Sequence, residues 1–443
     1  MAATPGNSLD NEIVEAVDAR ADEIIGLAQD LVRIRSVNPL YPDANYEKEL
    51  GGELACVSHL EALLAEAGFA TDVIMSAPER GNLVARRVGA GGGTSLAFNG
   101  HVDTVAAGDL SLWEDSPWSG TYRNGRVHGL GSADMKGPIA AFTVAASVLA
   151  AMDVELRGDL VLQCVSGEET GDAALGTEAC LDVGRTDVAV CAEPSGEQTD
   201  PHVALSPVGV GTLLLRLTVV GASVHAARRR EAIYPSGLRS GVSAADKGLE
   251  VAAALSRLER SWGIRKNARY FPPGQFVLNL GAIDSRAVGA GSPFFLADSF
   301  VADYAIYYPP YESPSEVKAE IEAYIRQFAD ADEWLAENPP RIEWTLDMPP
   351  VSAGDGGIAH TAMAEAIESV TGVSPILRGF SAGCDASWLE RSGIPTIVYG
   401  PGDLGLAHRP NESVSAAWLI EAAKVYALGA LRICNTPSTG AKS

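Results

Sequence analysis

The feature that most restricts the fold is a set of short apolar runs, "TSLAFNG", "DLVLQCVSG", "DVAVCAEP" and "IPTIVYGPG", each closed by small or turn-forming residues. Runs of this length, too short for helices, read as strands buried on both faces. The Ala-rich stretch "MKGPIAAFTVAASVLAAM" between the first two runs reads as a crossover helix. The expected class is therefore α/β, with a mostly parallel central sheet.

The pattern changes after Pro207. Residues 208–220, 275–283, 299–308 and 341–347 read as strands, separated by helices at about 241–261 and 314–330. Four strands with two helices make a self-sufficient α+β unit, and the α/β pattern resumes near residue 355. The expected organisation is an α/β domain in two parts, 1–206 and 350–443, with an inserted α+β domain, a four-stranded antiparallel sheet with two helices, at 207–349. Further helices are expected over residues 12–35, stopped by Asn38-Pro39, and over about 47–67.

Four apolar runs finish in residues able to bind a cation. "LAFNGHVD" ends in His101 and Asp103, "LVLQCVSGEE" in Glu168 and Glu169, "VAVCAEP" in Glu193, and "IPTIVYGPGDLGLAH" leads to His408. Asp134 lies in "GLGSADMKG", the loop that opens the Ala-rich helix. In an open α/β sheet the carboxyl ends of the strands line one crevice, so residues far apart in sequence converge there. Each has an ordinary reading alone; Asp134, for example, could simply cap the helix. Together, two imidazoles and several carboxylates form a mixed nitrogen and oxygen set suited to zinc, with manganese or cobalt also accommodated. Two such ions would activate a water and polarise a carbonyl.

The motifs "GHVDTVAAGD", "GLGSADMKG", "SGEETG", "AEPSG" and "GPGDLGLAHRPNESV" resemble, in order, those of the M20 metallopeptidases, a group that includes deacylases and carboxypeptidases. The resemblance implies two divalent metal ions, His101 and Glu193 on one, Glu169 and His408 on the other, with Asp134 bridging. It implies Asp103 as the outer carboxylate that orients the His101 ring, and Glu168 as general base. Glu193 at the fifth ligand position leans towards deacylation. The segment "GASVHAARRR" resembles the family's G-x-x-x-H-A element, which implies that His225 reaches across a homodimer to stabilise an oxyanion. The inserted domain would then be both lid and dimerisation surface.

The sequence also departs from the family pattern. Members acting on α-carboxylates carry an Arg on the last-but-one lid strand, where this chain has "VADYAIYYPPYES" with Tyr307 and Tyr308. These tyrosines, with Phe294 and Phe295, point either to an aromatic substrate or to ordinary strand packing. Arg228, Arg229, Arg230 or Arg239 offers an alternative anion site. The expected activity is hydrolysis of an amide C–N bond in a small molecule such as an N-acyl amino acid. An aromatic amide hydrolase or aminohydrolase is the alternative. A distant third is a serine hydrolase using Ser381 of "GFSAG", with Asp403 and His408 following in the right order.

A formal charge of −24 opposes binding to nucleic acid or anionic lipid surfaces. Six widely spaced cysteines without a C-x-x-C pair favour a reducing compartment. The N-terminal sequence has no basic and apolar leader pattern and no run spans a bilayer, so a cytoplasmic enzyme is expected.

Overall fold

A computed structural model describes residues 8–42, 44–197, 203–230, 241–287 and 292–438. It divides the chain into two compact units: one runs up to Val208 and includes Val351–Phe380 and the chain from Cys384 on, and the other holds Gly209–Pro350 with Ser381–Gly383.

The first unit is built on an eight-stranded sheet. Its strands are β1 (Ala70–Ala77), β2 (Arg80–Arg87), β3 (Leu96–His101), β6 (Leu160–Val165), β7 (Val188–Cys191), β8 (Ala204–Gly209), β13 (Ile376–Phe380) and β14 (Thr396–Val398), with β4 (Thr121–Arg123) and β5 (Arg126–His128) in a separate small sheet with β15 (Ser413–Ser415). The order is β1-β2-β6-β3-β7-β14-β8-β13. β6, β3, β7 and β14 pair in parallel, whereas β1, β2 and β8 join antiparallel. Every residue of β3, β6 and β7 is buried. The apolar runs are continuous because helices cover the sheet. On one face the helices Gly137–Ala151 and Ala416–Asn435 pack through an aromatic cluster in which Phe98 meets Phe142 and Tyr426 at ring-centroid distances of 5.9 and 5.0 Å. Burial of such rings on both sides of the contact is a large share of the apolar stabilisation.

Two details differ from the sequence reading. The first helical region is broken into Ser8–Asp18 and Ala21–Arg33, and the second into a turn at Tyr46–Glu49 and a helix at Gly52–Glu66. Gly51 adopts φ +86°, which a side chain resists, and this ends the first piece. The β1-β2 hairpin was not expected, because β2 begins with charged Arg80 and ends with Arg86 and Arg87, and β1 is half exposed.

The second unit is a four-stranded antiparallel sheet, order β10-β11-β9-β12, from β9 (Gly211–Val220), β10 (Val277–Arg286), β11 (Ser299–Tyr308) and β12 (Arg341–Met348). Alternate residues of β9 and β11 point inward, as a sheet covered on one face requires. The helices Ala244–Arg265 and Pro314–Asp330 lie on that face, the second opened by a capping box between Ser313 and Glu316. The α/β class with an α+β companion sheet is the architecture the sequence implied. All six cysteines are buried and unpaired in disulfides.

Candidate metal centre

Parallel pairing places His101 of β3 opposite Val165 of β6, so the segments leaving both strands emerge side by side. Gly100, just before His101, is closely packed: a Cβ there would lie 2.8 Å from Met135 Cε and 3.1 Å from Ile139 Cγ1, so the Met135 side chain would have to move. Met135 belongs to the Ser132–Lys136 turn, which carries Asp134, so the turn packs directly on the strand end. Glu168 and Glu169 sit in a tight turn after β6, and Glu193 lies just beyond β7.

These residues meet. His101 Nε2 is 3.0 Å from Asp134 Oδ1, 3.6 Å from Glu193 Oε1 and 3.9 Å from Glu168 Oε2. Asp134 turns its second oxygen the other way, with Oδ2 3.2 Å from His408 Nε2, and that nitrogen is 3.1 Å from Glu169 Oε2. Asp134 thus offers one oxygen to each of two clusters. His408 holds φ +59°, a left-handed conformation that costs a residue with a Cβ about 1–3 kcal/mol and recurs at functional sites. Ligand atoms of His101, Asp134 and Glu169 lie within 4.8 Å of one another, as do those of His101, Glu168 and Glu193.

Asp103 lies beneath His101. The imidazole Nδ1 is 2.9 Å from the Asp103 backbone oxygen and 3.6 Å from its carboxylate Oδ1, so the nearer acceptor is the carbonyl. The carboxylate Oδ2 accepts instead from the Asn38 amide at 2.8 Å and from the Glu169 N–H at 3.1 Å.

The electrostatics are those of a site built for positive charge. Burial, augmented by the neighbouring carboxylates, pushes Glu168 and Glu193 well above the usual carboxylate range. Against burial, hydrogen bonds with Asp134 and Glu169 push His408 up to about 12. Burial also opposes ionisation of Asp134, yet its hydrogen bonds with His101 and His408 hold it below the usual range. Without another cation, protonated imidazoles are what balance these carboxylates.

The residues fit metal ions on a second, independent ground. Glu169 Oε1 and Glu193 Oε1 are buried and have no hydrogen-bond partner. A buried acceptor left unpaired costs about 1–3 kcal/mol, more when charged, and a divalent cation satisfies both. Hard carboxylate oxygens with imidazole nitrogens suit zinc, manganese or cobalt alike.

Two neighbours carry roles that the motifs did not disclose. Glu412 is buried and accepts from the N–H groups of Ala133 and Asp134, at 2.8 and 3.1 Å, which fixes the turn bearing the Asp134 carboxylate. Its signal was available, four residues after His408 in "HRPNESV". Asn38 reads in sequence only as a helix stop.

In the second unit, His225 is exposed and its Nδ1 accepts from the Ala227 N–H at 3.1 Å. The neutral ring therefore carries its proton on Nε2, the tautomer of a hydrogen-bond donor. Phe294 lies parallel to the ring at 6.3 Å and Phe295 edge-on at 5.7 Å. Tyr308 does not offer a substrate surface. It is fully buried, packs against Gly211 and donates to the Met348 carbonyl at 3.3 Å, while Tyr307 is half-buried against the same core. Arg229 is engaged by Asp246 at 2.8 Å, and Arg239 lies outside the described residues. The serine-hydrolase reading fails on geometry: His408 faces Asp134 and Glu169, and Asp403 caps the Gly405 N–H at 2.9 Å, so neither is arranged as part of a Ser381 relay.

A model of peptidase family M20/M25/M40 matches residues 97–432, and the chain belongs to that family. It is 32% identical to the N-formyl-4-amino-5-aminomethyl-2-methylpyrimidine deformylase of Bacillus subtilis, over 92% of this chain and 94% of the relative. It is 28% identical to a succinyl-diaminopimelate desuccinylase of Cupriavidus pinatubonensis, over 91% and 97%. Among solved structures, human carnosine dipeptidase 1 matches with a TM-score of 0.73 at 16% identity, covering 97% of this chain and all of that one. The YXEP protein of Bacillus subtilis, described as a dinuclear metal-binding peptidase of the M20 family, matches with a TM-score of 0.59 at 15% identity over 95% and 99%. The chain is a metal-dependent hydrolase acting on amide-type C–N bonds of small molecules.

No helix among the described residues is long and apolar enough to cross a membrane.

Proposed function

We propose that the enzyme removes a small N-acyl group, formyl foremost, from an amine borne on a planar heteroaromatic ring, using two zinc ions and Glu168 as the general base. The observation that carries the chemistry is the Asp134 carboxylate, one oxygen facing His101 and the other His408. His101 and Glu193 would hold one ion, Glu169 and His408 the other, with Asp134 shared. Divalent ions held there would supply Lewis-acid polarisation of the acyl carbonyl and acidify the attacking water. Glu168, enclosed beside His101 and raised in pKa by burial, would accept a proton from the attacking water and return it to the departing amine. Asp103, through its backbone oxygen, fixes the His101 ring tautomer so that Nε2 is free to face the ion.

The deformylase relative supports the choice of acyl group and amine. So does the sequence SFVADYAIYY of β11, which lacks the arginine used elsewhere to clamp an α-carboxylate. Equal amounts of an N-formyl aminomethylpyrimidine, an N-succinyl amino acid and an N-acetyl amino acid compared by kcat/KM should favour the first by about 100-fold or more, the discrimination a site tuned to polar substrate groups can reach. Faster turnover of the two carboxylated substrates would overturn the assignment.

We read the protein as a cytoplasmic homodimer through its inserted unit. β10 is a ten-residue edge strand with Leu280 and Ile283 exposed, and long exposed edges are normally covered. His225 from a second copy would donate Nε2–H to the tetrahedral oxyanion. His225→Ala should lower kcat by about 100- to 1000-fold with metal content unchanged. Mixing that variant with a Glu168 variant should restore part of the activity, since one site of the mixed dimer then keeps both groups; no recovery would rule out action in trans.

Removal of metal has its own expected signature. Dialysis against a chelator should abolish turnover and lower the melting temperature by about 2–4 °C for each kcal/mol of lost ligand pairing, with both restored by zinc. Turnover that survives a metal-free preparation would end the functional reading.

A further inference from the structure

Behind the metal centre lies a buried polar array that the chemistry described so far does not use. Arg80 and Glu53, 2% and 0% exposed, face each other in two contacts of 2.6 Å, Nε to Oε2 and Nη2 to Oε1. A buried ion pair of this kind is not in itself a strong stabilising device, because desolvation of both groups offsets their attraction. Its position gives it another use. Arg80 Nη2 also donates to Asn38 Oδ1 at 3.2 Å, and the Leu40 N–H donates to the same oxygen at 3.0 Å. With two donors on its oxygen, the Asn38 amide can face only one way. Its nitrogen then donates to Asp103 Oδ2 at 2.8 Å and to Thr170 Oγ1 at 3.2 Å.

Those two acceptors belong to different ligand-bearing segments. Asp103 follows the end of β3, two residues from His101, and its Oδ2 also takes the Glu169 N–H at 3.1 Å. Thr170 ends the turn that carries Glu168 and Glu169. We propose that Asn38, locked in orientation by the Arg80–Glu53 pair, is a positioning residue that braces the His101 segment against the Glu168–Glu169 turn and so sets the spacing of the two metal positions. The inference rests on the metal-centre reading above. None of the three residues touches the reacting atoms, and they act through Asp103 and Thr170.

The test measures metal binding directly. Wild type, Asn38→Ala, Thr170→Val and Arg80→Lys are prepared metal-free, checked for folding by thermal melting, and titrated with Co²⁺ while the visible absorption of the ion and competition with a chromophoric chelator are followed. Loss of an outer partner of a ligand typically weakens metal affinity by about 10- to 100-fold. Asn38→Ala should fall in that range for at least one equivalent and alter the Co²⁺ spectrum. Thr170→Val, which removes only one of the two amide contacts, should give a smaller change of the same kind. In a double-mutant cycle, Asn38→Ala combined with Asp103→Asn should weaken binding by less than the product of the single effects, because the two share one interaction.

A merely structural role predicts a lower melting temperature of the metal-free protein with Co²⁺ affinity and spectrum unchanged, and that result would overturn the proposal. If Asn38→Ala does not fold, Thr170→Val and Arg80→Lys decide in the same way. Wild type binding Co²⁺ normally while all three variants match it would sink this proposal alone; wild type that binds no metal would sink it together with the functional reading.

Discussion

Glu168→Ala is expected to keep both equivalents of metal and lose turnover by about 100- to 10,000-fold, the usual worth of a positioned acid–base group. The expectation comes from the division of labour between two adjacent carboxylates. Glu169 is anchored at both ends: its N–H is held by Asp103, and its Oε2 lies 3.1 Å from His408. Glu168 Oε2 stands 3.9 Å from His101, too far for a hydrogen bond and near enough to share a water with it. Burial first, and the nearby negative charges with it, raise its pKa well above the usual carboxylate range, which makes it a stronger proton acceptor than an exposed glutamate. Elemental analysis alongside steady-state kinetics checks the result. Loss of one metal equivalent in Glu168→Ala would reassign the residue as a ligand, which its 4.8 Å grouping with His101 and Glu193 permits geometrically.

The second large effect belongs to the bridge. Asp134→Asn should reduce metal content from two equivalents to at most one and weaken the remaining site by more than about 100-fold, beyond what loss of an outer partner alone produces. Asparagine keeps the shape but presents one oxygen and one amide nitrogen, so it cannot offer an anionic oxygen to each side. The metal-free protein should suffer too. Asp134 sits between His101 at 3.0 Å and His408 at 3.2 Å; removing the anion leaves the buried His101 without its nearest counter-charge, a destabilising change, whereas the His408 side chain is 48% exposed and solvent screens most of its share. Calorimetry of the metal-free variant beside metal-free wild type at pH 6 and pH 9 separates the two losses: the stabilisation that Asp134 gives the raised imidazoles is full below the ordinary imidazole range and declines as pH rises towards the His408 value of about 12, so the folding defect should be smaller at pH 9 than at pH 6. Retention of two equivalents by Asp134→Asn would remove the bridge from the account.

Much of the centre was legible because its logic is local to strand ends. A buried strand that stops at His101, or at Val165 just before Glu168 and Glu169, displays its last residues at one edge of a parallel sheet whatever the rest of the chain does. The brace behind it was not legible. Asn38 bonds Asp103 at a separation of 65 residues and Thr170 at 132, and no periodicity or motif reports such a contact. The β1-β2 hairpin escaped for a different reason: Arg80 is fully buried against Glu53, so a residue that usually marks a surface turn here begins an interior strand. Tyr308 shows the converse. An aromatic in place of an expected arginine suggested a substrate contact, yet Gly211 opposite leaves a space that the tyrosine ring fills.

The place of β14 in the sheet bears on how the polypeptide is made. β14 lies between β7 and β8, although it is synthesised about two hundred residues after them. Until the ribosome has delivered Thr396–Val398, β7 has an open flank and β8 lacks the strand that joins it to the rest of the sheet. Unpaired flanks of this kind recruit other chains. A nascent or truncated product ending before residue 396 should therefore depend on chaperones and accumulate as aggregate, so premature stop codons between residues 351 and 395 should yield insoluble rather than merely inactive material.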